Sequence, residues 1–253
     1  MSEALFDEAR KWVRDARSIL FITGAGISAD SGLPTYRGIG GLYDDENTEE
    51  DLPIEVILSG QVFRREPALT WKYIRQIEEA CRGAKPNDAH LAIADLEKSG
   101  KRVWTLTQNV DGLHRAAGSQ QVIDIHGDVH HLECTQCNWD ERVENYAELD
   151  PCPSCPECGA VVRPRVVLFG EMLPMRAMQV YERELARGFE LVVSVGTSSL
   201  FPYIAAPVLA AAQSGGRSIE INPGETPVSE AAAINLKVGA AEAMRRVWPL
   251  GSR

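Results

Sequence analysis

Six short apolar runs punctuate the chain: "SILFIT" at 18–23, "RVWTLT" at 102–107, "VIDI" at 122–125, "RVVLF" at 165–169, "ELVVSV" at 190–195 and "SIEI" at 218–221. Between several of them lie helical patterns, such as "AMQVYERELARG" and "IAAPVLAAAQSGG". Leu5, Ala9, Trp12, Val13 and Ala16 recur at helical spacing and predict an amphipathic first helix. Continuous apolar strands alternating with helices predict an α/β fold. The expected form is a Rossmann-like parallel sheet with helices on both faces.

Each run ends in glycines or polar groups. These endings are Gly24-Ala25-Gly26, Gln108-Asn109-Val110-Asp111, His126-Gly127, Gly170-Glu171, Gly196-Thr197-Ser198 and Asn222-Pro223. In open α/β sheets the ligand crevice lies at the carboxyl ends of the strands. The six polar endings are therefore expected to meet at one edge.

Two stretches break the alternation. One runs from 38 to about 85, a charged loop "DDENTEED" followed by helical sequence through "WKYIRQIEEACRG"; the other, from 129 to about 164, is rich in cysteine. Both read as insertions forming a smaller lobe. The expected division is a Rossmann-like dinucleotide-binding domain at 1–37, 86–128 and 165–253, a helical insertion with a cofactor loop at 38–85, and a zinc-binding module at 129–164.

Composition narrows the function. The chain has 253 residues, 44% of them apolar, enough for a sizeable core. A net charge of −10 argues against direct binding to nucleic acid, which needs a basic face. No apolar run approaches the roughly 20 residues of a membrane span. The acidic start, "MSEALFDEAR", resembles neither a secretory nor a transit peptide, so a cytoplasmic location is expected. Thiols stay reduced there, and clustered cysteines favour metal over disulfides.

Five of the six cysteines lie between 134 and 158, in "ECTQCNW" and "DPCPSCPECGA". Two C-x-x-C pairs at this separation predict one structural zinc with a closed shell of four thiolates. The residue after each pair should offer a backbone N–H and tolerate positive φ. Asn138 and Gly159 suit this role, whereas Pro156 does not. The expected ligands are Cys134, Cys137, Cys155 and Cys158, with Cys152 a spare. Cys81 falls on a predicted helix and reads as a packed thiol.

The stretch "ITGAGISADSGLPTYRG", 22–38, opens like a dinucleotide-binding turn. Ser31, Gly32 and Pro34 then interrupt the helix that normally succeeds such a turn. Among the histidines, His126 alone ends a strand directly before glycine, where an imidazole with a pKa near neutrality can serve as a base. His90 and His114, in helical surroundings, read as structural. His130 and His131 lead into the cysteine segment.

Taken in order, "GAGISADSGLPTYRG", "TQNVDGLH", "IHG", "CTQC…CPECG", "RPRVVLFGE", "GTS" and "IN" resemble the sirtuins, NAD-dependent protein-lysine deacylases. The resemblance runs from about residue 18 to 242. It implies NAD as co-substrate, one structural zinc, and acyl-lysine proteins or peptides as substrates. The interrupted segment would be a loop covering the dinucleotide. Gly24, Ala25 and Gly26 would lie at its pyrophosphate, Ser28 would be a further contact to the dinucleotide, and Tyr36 and Arg37 would lie near the nicotinamide ribose. Gln108, Asn109 and Asp111 would hold the nicotinamide end. Gly196, Thr197, Ser198, Asn222 and Ala240 would contact the adenosine half. His126 would be the general base, with Asn109 beside it in the catalytic centre. Val167, Phe169, Gly170 and Glu171 would pair with the substrate peptide as an added strand.

The chain departs from the family pattern in places. Thr35 and Tyr36 stand where Asp and Phe are frequent. Sirtuins that remove acidic acyl groups carry a Tyr-x-x-Arg pair, and the matching positions here are Ile74 and Ile77. An acidic acyl group would be desolvated there without a partner, which favours acetyl or another neutral group. Rival readings of the same motifs are a protein mono-ADP-ribosyltransferase and a non-catalytic NAD-sensing scaffold.

Overall fold

The computed structural model describes residues 3–35 and 48–251. Tyr36 and Arg37 lie outside the described residues. In chain order the elements are α1 (Glu3–Asp15), β1 (Ser18–Thr23), two 3-10 turns (Ala25–Ile27 and Ala29–Ser31), α2 (Ile54–Ile57), α3 (Gly60–Arg65), α4 (Pro67–Cys81), α5 (Asp88–Lys98), β2 (Arg102–Thr107), α6 (Leu113–Ala116), β3 (Val122–Asp124), β4 (Gly127–Cys134), β5 (Asp140–Arg142), β6 (Val162–Val166), α7 (Met175–Ala186), β7 (Leu191–Val195), α8 (Pro202–Gln213), β8 (Arg217–Ile221), β9 (Ile234–Leu236) and α9 (Ala240–Val247).

The large sheet runs β3-β2-β1-β7-β8-β9, every neighbouring pair parallel. Strand order climbs outward in both directions from the β1–β7 junction. That junction is the topological switch point, where an open α/β sheet forms its crevice. The four central residues of β1 are apolar because both its faces are covered. Ile19 and Phe21 enter the core shared with α1, α5 and α9, while Leu20 and Ile22 enter the core shared with α7 and α8.

Five of the six apolar runs take their expected places in this sheet. The exception is "RVVLF". Its first residues close β6, which pairs antiparallel with β4 in a separate sheet of order β5-β4-β6. A short apolar run fits a buried strand in either sheet, so periodicity could not assign it. The sixth parallel strand is β9, only three residues long and not anticipated.

The small sheet and helices α2–α4 bury one shared core containing Ile57, Phe63, Trp71, Leu132, Tyr146 and Val162. Trp71 Nε1–H donates to Val162 O at 2.8 Å. Arg75, one turn further along α4, donates to the carbonyls of Tyr146 and Leu149 at 3.0 and 2.7 Å, and also to that of Asp150. The helical insertion and the cysteine segment thus stabilise each other, and neither holds a core alone. Among the described residues, no helix is long and apolar enough to cross a membrane.

Candidate active site

The turn after β1 meets the loop after β7 at very close range. A Cβ placed on Gly26 would lie 2.7 Å from Gly196 Cα, and one on Gly24 would lie 2.8 Å from Thr197 Cα. The Gly24 and Gly26 amides donate to Val195 O (3.2 Å) and Gly196 O (2.8 Å). These glycines therefore lock the two loops together across the switch point. The interruption expected after the glycines is real: two 3-10 turns replace the usual long helix, and Gly32 ends the second at φ +84°.

Residues after β2 complete one wall. Asn109 Nδ2 donates to Gly24 O (3.1 Å) and Ser28 Oγ (3.2 Å), and the Ser28 hydroxyl donates to Asp111 Oδ2 at 2.7 Å. Burial pushes the Asp111 carboxyl up, despite bonds from Leu113 N–H and Ser28. A pocket opens here, lined by Ala25, Ser28, Leu33, Ile77, Asn109 and Asp111 among others. Ile77 lines this pocket, whereas Ile74 is buried in the small-lobe core. Cys81 also lines this pocket, its thiol pushed up to about 12 by burial.

His126 lies just past β3 and is half-buried. Its Nδ1 lies 3.1 Å from Gln108 O, and its Nε2 lies 2.7 Å from the Tyr203 hydroxyl. A carbonyl can only accept, so the neutral ring carries its proton on Nδ1 and keeps a lone pair on Nε2. Burial lowers the ring's pKa below 6.5, against the opposing pull of the Gln108 carbonyl. Gln108 Nε2 donates to Thr197 Oγ1 at 2.7 Å, so the imidazole and the loop after β7 are joined through one residue.

Tyr203 was not anticipated from sequence. It stacks on Phe201 with ring centroids 5.6 Å apart, at the start of α8. Pro207 lacks the N–H that would bond to the Tyr203 carbonyl, and the Tyr181 hydroxyl donates to it instead at 2.6 Å. The one available signal was the aromatic pair in "SLFPY" directly after a strand ending.

The adenosine-side candidates are also gathered. Asn222 Nδ2 donates to Thr197 O at 3.0 Å. Ala240 opens α9, where the Ala241 amide donates to Asp30 Oδ2 at 3.0 Å. Asp30, which no motif singled out, so ties the glycine turn to the last helix.

Segment 167–171 runs along the cleft between the lobes. Val167 N–H donates to His126 O (2.9 Å), Phe169 N–H to Leu58 O (2.9 Å), and Gly60 N–H to Phe169 O (3.1 Å). The Glu171 carboxylate is taken up by Arg163, at 2.7 and 2.8 Å.

At the other end of the β4–β6 pair, where Cys134 faces Val162, the thiols of Cys134, Cys137, Cys155 and Cys158 lie within 4.8 Å of one another. Tetrahedral zinc with Zn–S bonds of about 2.3 Å needs sulfurs about 3.8 Å apart, so the cluster fits one ion. The amides of Gln136 and Cys137 point at Cys134 Sγ, at 3.3 and 3.4 Å, as a thiolate requires. Gly159 has the expected positive φ of +76°, but Asn138 does not share it. Cys152 lies outside the cluster and packs into the small-lobe core.

A crevice at a switch point, sealed by glycine turns and faced by a neutral imidazole, defines an α/β protein that handles a dinucleotide. The Sir2 family model matches residues 24–201, and the chain belongs to that family. It is 49% identical to NAD-dependent protein deacylase 2 of Pseudomonas aeruginosa over 93% of each chain. It is 39% identical to NAD-dependent protein deacylase 1 of Archaeoglobus fulgidus over 92% of this chain and 93% of that one. Among solved structures, a Sir2 homologue–NAD complex is similar with a TM-score of 0.84 at 38% identity, covering 98% of this chain and 92% of that one. A Sir2 variant with a deacetylated p53 peptide and 3′-O-acetyl ADP-ribose is similar with a TM-score of 0.84 at 31% identity, covering 96% of each chain.

Proposed function

We propose that this chain is an NAD-dependent protein-lysine deacylase that acts on acetyl or another neutral acyl group. The observation that carries the reading is His126, with its Nε2 lone pair directed away from the Gln108 carbonyl and its ring joined through Gln108 to the loops at the switch point. NAD, when bound, supplies a ribose carbon that becomes electrophilic as nicotinamide leaves, and the acyl oxygen of the lysine substrate can attack it. The residues of this chain do the rest. The turns at 24–28 and 196–198 hold the dinucleotide. Asn109 and Asp111 set the geometry of the nicotinamide end with Gln108. A sugar hydroxyl that replaces Tyr203 at Nε2 meets a base able to take its proton, and such a base contributes about 10²–10⁴ in rate. Segment 167–171 receives the peptide, with zinc on the four cysteines holding the lobe that frames it.

The acyl preference rests on the two positions that match the Tyr-x-x-Arg pair of sirtuins acting on acidic acyl groups. Ile74 and Ile77 stand there, and neither offers a charge or a polar group. A carboxylate-bearing acyl chain would lose its hydration there without compensation. Four cysteines gathered for a metal rather than paired as disulfides fit a reducing, cytoplasmic setting. The test is incubation with NAD and a panel of acyl-lysine peptides, monitoring nicotinamide and acyl-ADP-ribose. Acetyl-lysine should turn over faster than succinyl-lysine. A protein product that gains ADP-ribose would establish the transferase reading instead, and no nicotinamide release would leave only a scaffold.

A further inference from the structure

We propose that the Arg163–Glu171 ion pair is a positioning device for the acyl-lysine peptide, holding the turn at 168–171 beside which a substrate strand adds; this rests on the deacylase reading above. Arg163 lies on β6 and donates to both Glu171 carboxylate oxygens, at 2.7 and 2.8 Å, and to Val166 O at 2.7 Å. Glu171 Oε2 also accepts from Leu168 N–H at 3.0 Å. The carboxylate thus closes the segment on itself, and its oxygens are occupied within the protein. Glu171 acts on a peptide through the turn it shapes.

Three parts of the molecule meet at this pair. The Arg163 guanidinium sits 5.0 Å from the centre of the Phe63 ring of α3. A Cβ at Gly60, the first residue of α3, would lie 2.7 Å from the Glu171 side chain, so glycine is what admits the carboxylate. The same Gly60 donates its amide to Phe169 O. Both charged side chains are mostly buried, at 15% and 23% exposure. Burial pushes the Glu171 carboxyl up, but the bonds from Arg163 and Leu168 outweigh it and hold the group below its ordinary value. On the peptide-facing side, the glycine turns and His126 are not among the partners of the pair. Its effect should therefore fall on the peptide and spare the dinucleotide.

Glu171→Gln is nearly isosteric and removes the charge and one acceptor. The KM for an acetyl-lysine peptide should rise about tenfold, the loss of one charge-assisted bond, while the KM for NAD stays within about twofold. Arg163→Lys keeps the charge without the fork and should fall between wild type and Glu171→Gln. A readout independent of turnover is amide exchange. Leu168 and Phe169 should exchange faster in Glu171→Gln, with residues 24–28 unaltered. An active wild type whose peptide KM and exchange at 168–169 are both untouched by Glu171→Gln overturns the clamp. Equal rises in both KM values overturn it as well, because they signal general loosening. A wild type that deacylates no peptide overturns the functional reading itself and, with it, the peptide role.

Discussion

At the scale of single residues, His126 carries the sharpest expectation. His126→Ala should leave folding and metal content intact and lower deacylation by about 10²–10⁴. Near-normal turnover would remove it from the mechanism. Its pH dependence has a definite sign. Burial disfavours the imidazolium, so the base stays neutral at pH values where an ordinary histidine is half protonated. The acidic limb of kcat/KM should therefore lie below 6.5, and a limb above that value would contradict the assignment. Gly26 makes a different kind of prediction. Its missing Cβ is filled by Gly196 backbone, which cannot step aside as a flexible side chain can. Gly26→Ala should cost about 1–3 kcal/mol in denaturant unfolding and weaken NAD binding as well.

Among elements, β1, α5 and α6 share a buried histidine pair. His114 Nε2 lies 2.9 Å from Thr23 Oγ1, and the His90 and His114 rings meet edge-to-face at 4.9 Å. Burial lowers His90 to about 4 and His114 well below its ordinary value. In the unfolded chain both titrate near 6.5, so the unfolded state takes up more protons as pH falls below that value. Stability should be complete above pH 6.5 and decline from there toward about 4. Urea midpoints at pH 7, 6 and 5 measure this, and a flat series would refute it. The same region shows what sequence can and cannot disclose. β1, β2, β7 and β8 are five or six residues long and mostly buried, with apolar runs that identify them. β9 is too short to carry a pattern, and β6 alternates arginine with apolar residues in a way that suits a different sheet. The glycine turn and the cysteine spacing were legible because their chemistry is local. Tyr203, Asp30 and Arg163 were not. Tyr203 and Asp30 meet their partners 77 and 211 positions away, and Arg163 meets its partner across a bend whose shape the residues themselves create.

On the scale of the whole molecule, the small lobe depends on metal in a way the large sheet does not. Its core joins α2–α4 to the cysteine-bearing strands, and four thiols crowd together at its edge. Structural zinc supplies on the order of 10–16 kcal/mol in isolated modules, so chelation should unfold this lobe first. Amide exchange should then rise across 127–166 and 54–81 while β1, β2, β7 and β8 stay protected. Uniform loss of protection would show that the two lobes unfold as one.

The central place of β1 has a consequence for biosynthesis. Among the described strands it leaves the ribosome first, yet its flanks belong to β2 at 102–107 and β7 at 191–195. Until about residue 195 has been translated, one side of this water-averse ribbon has no neighbour, and its hydrogen-bonding groups stand open to any passing nascent chain. A polypeptide arrested between those two points should be a client for holding chaperones, and one released whole should not.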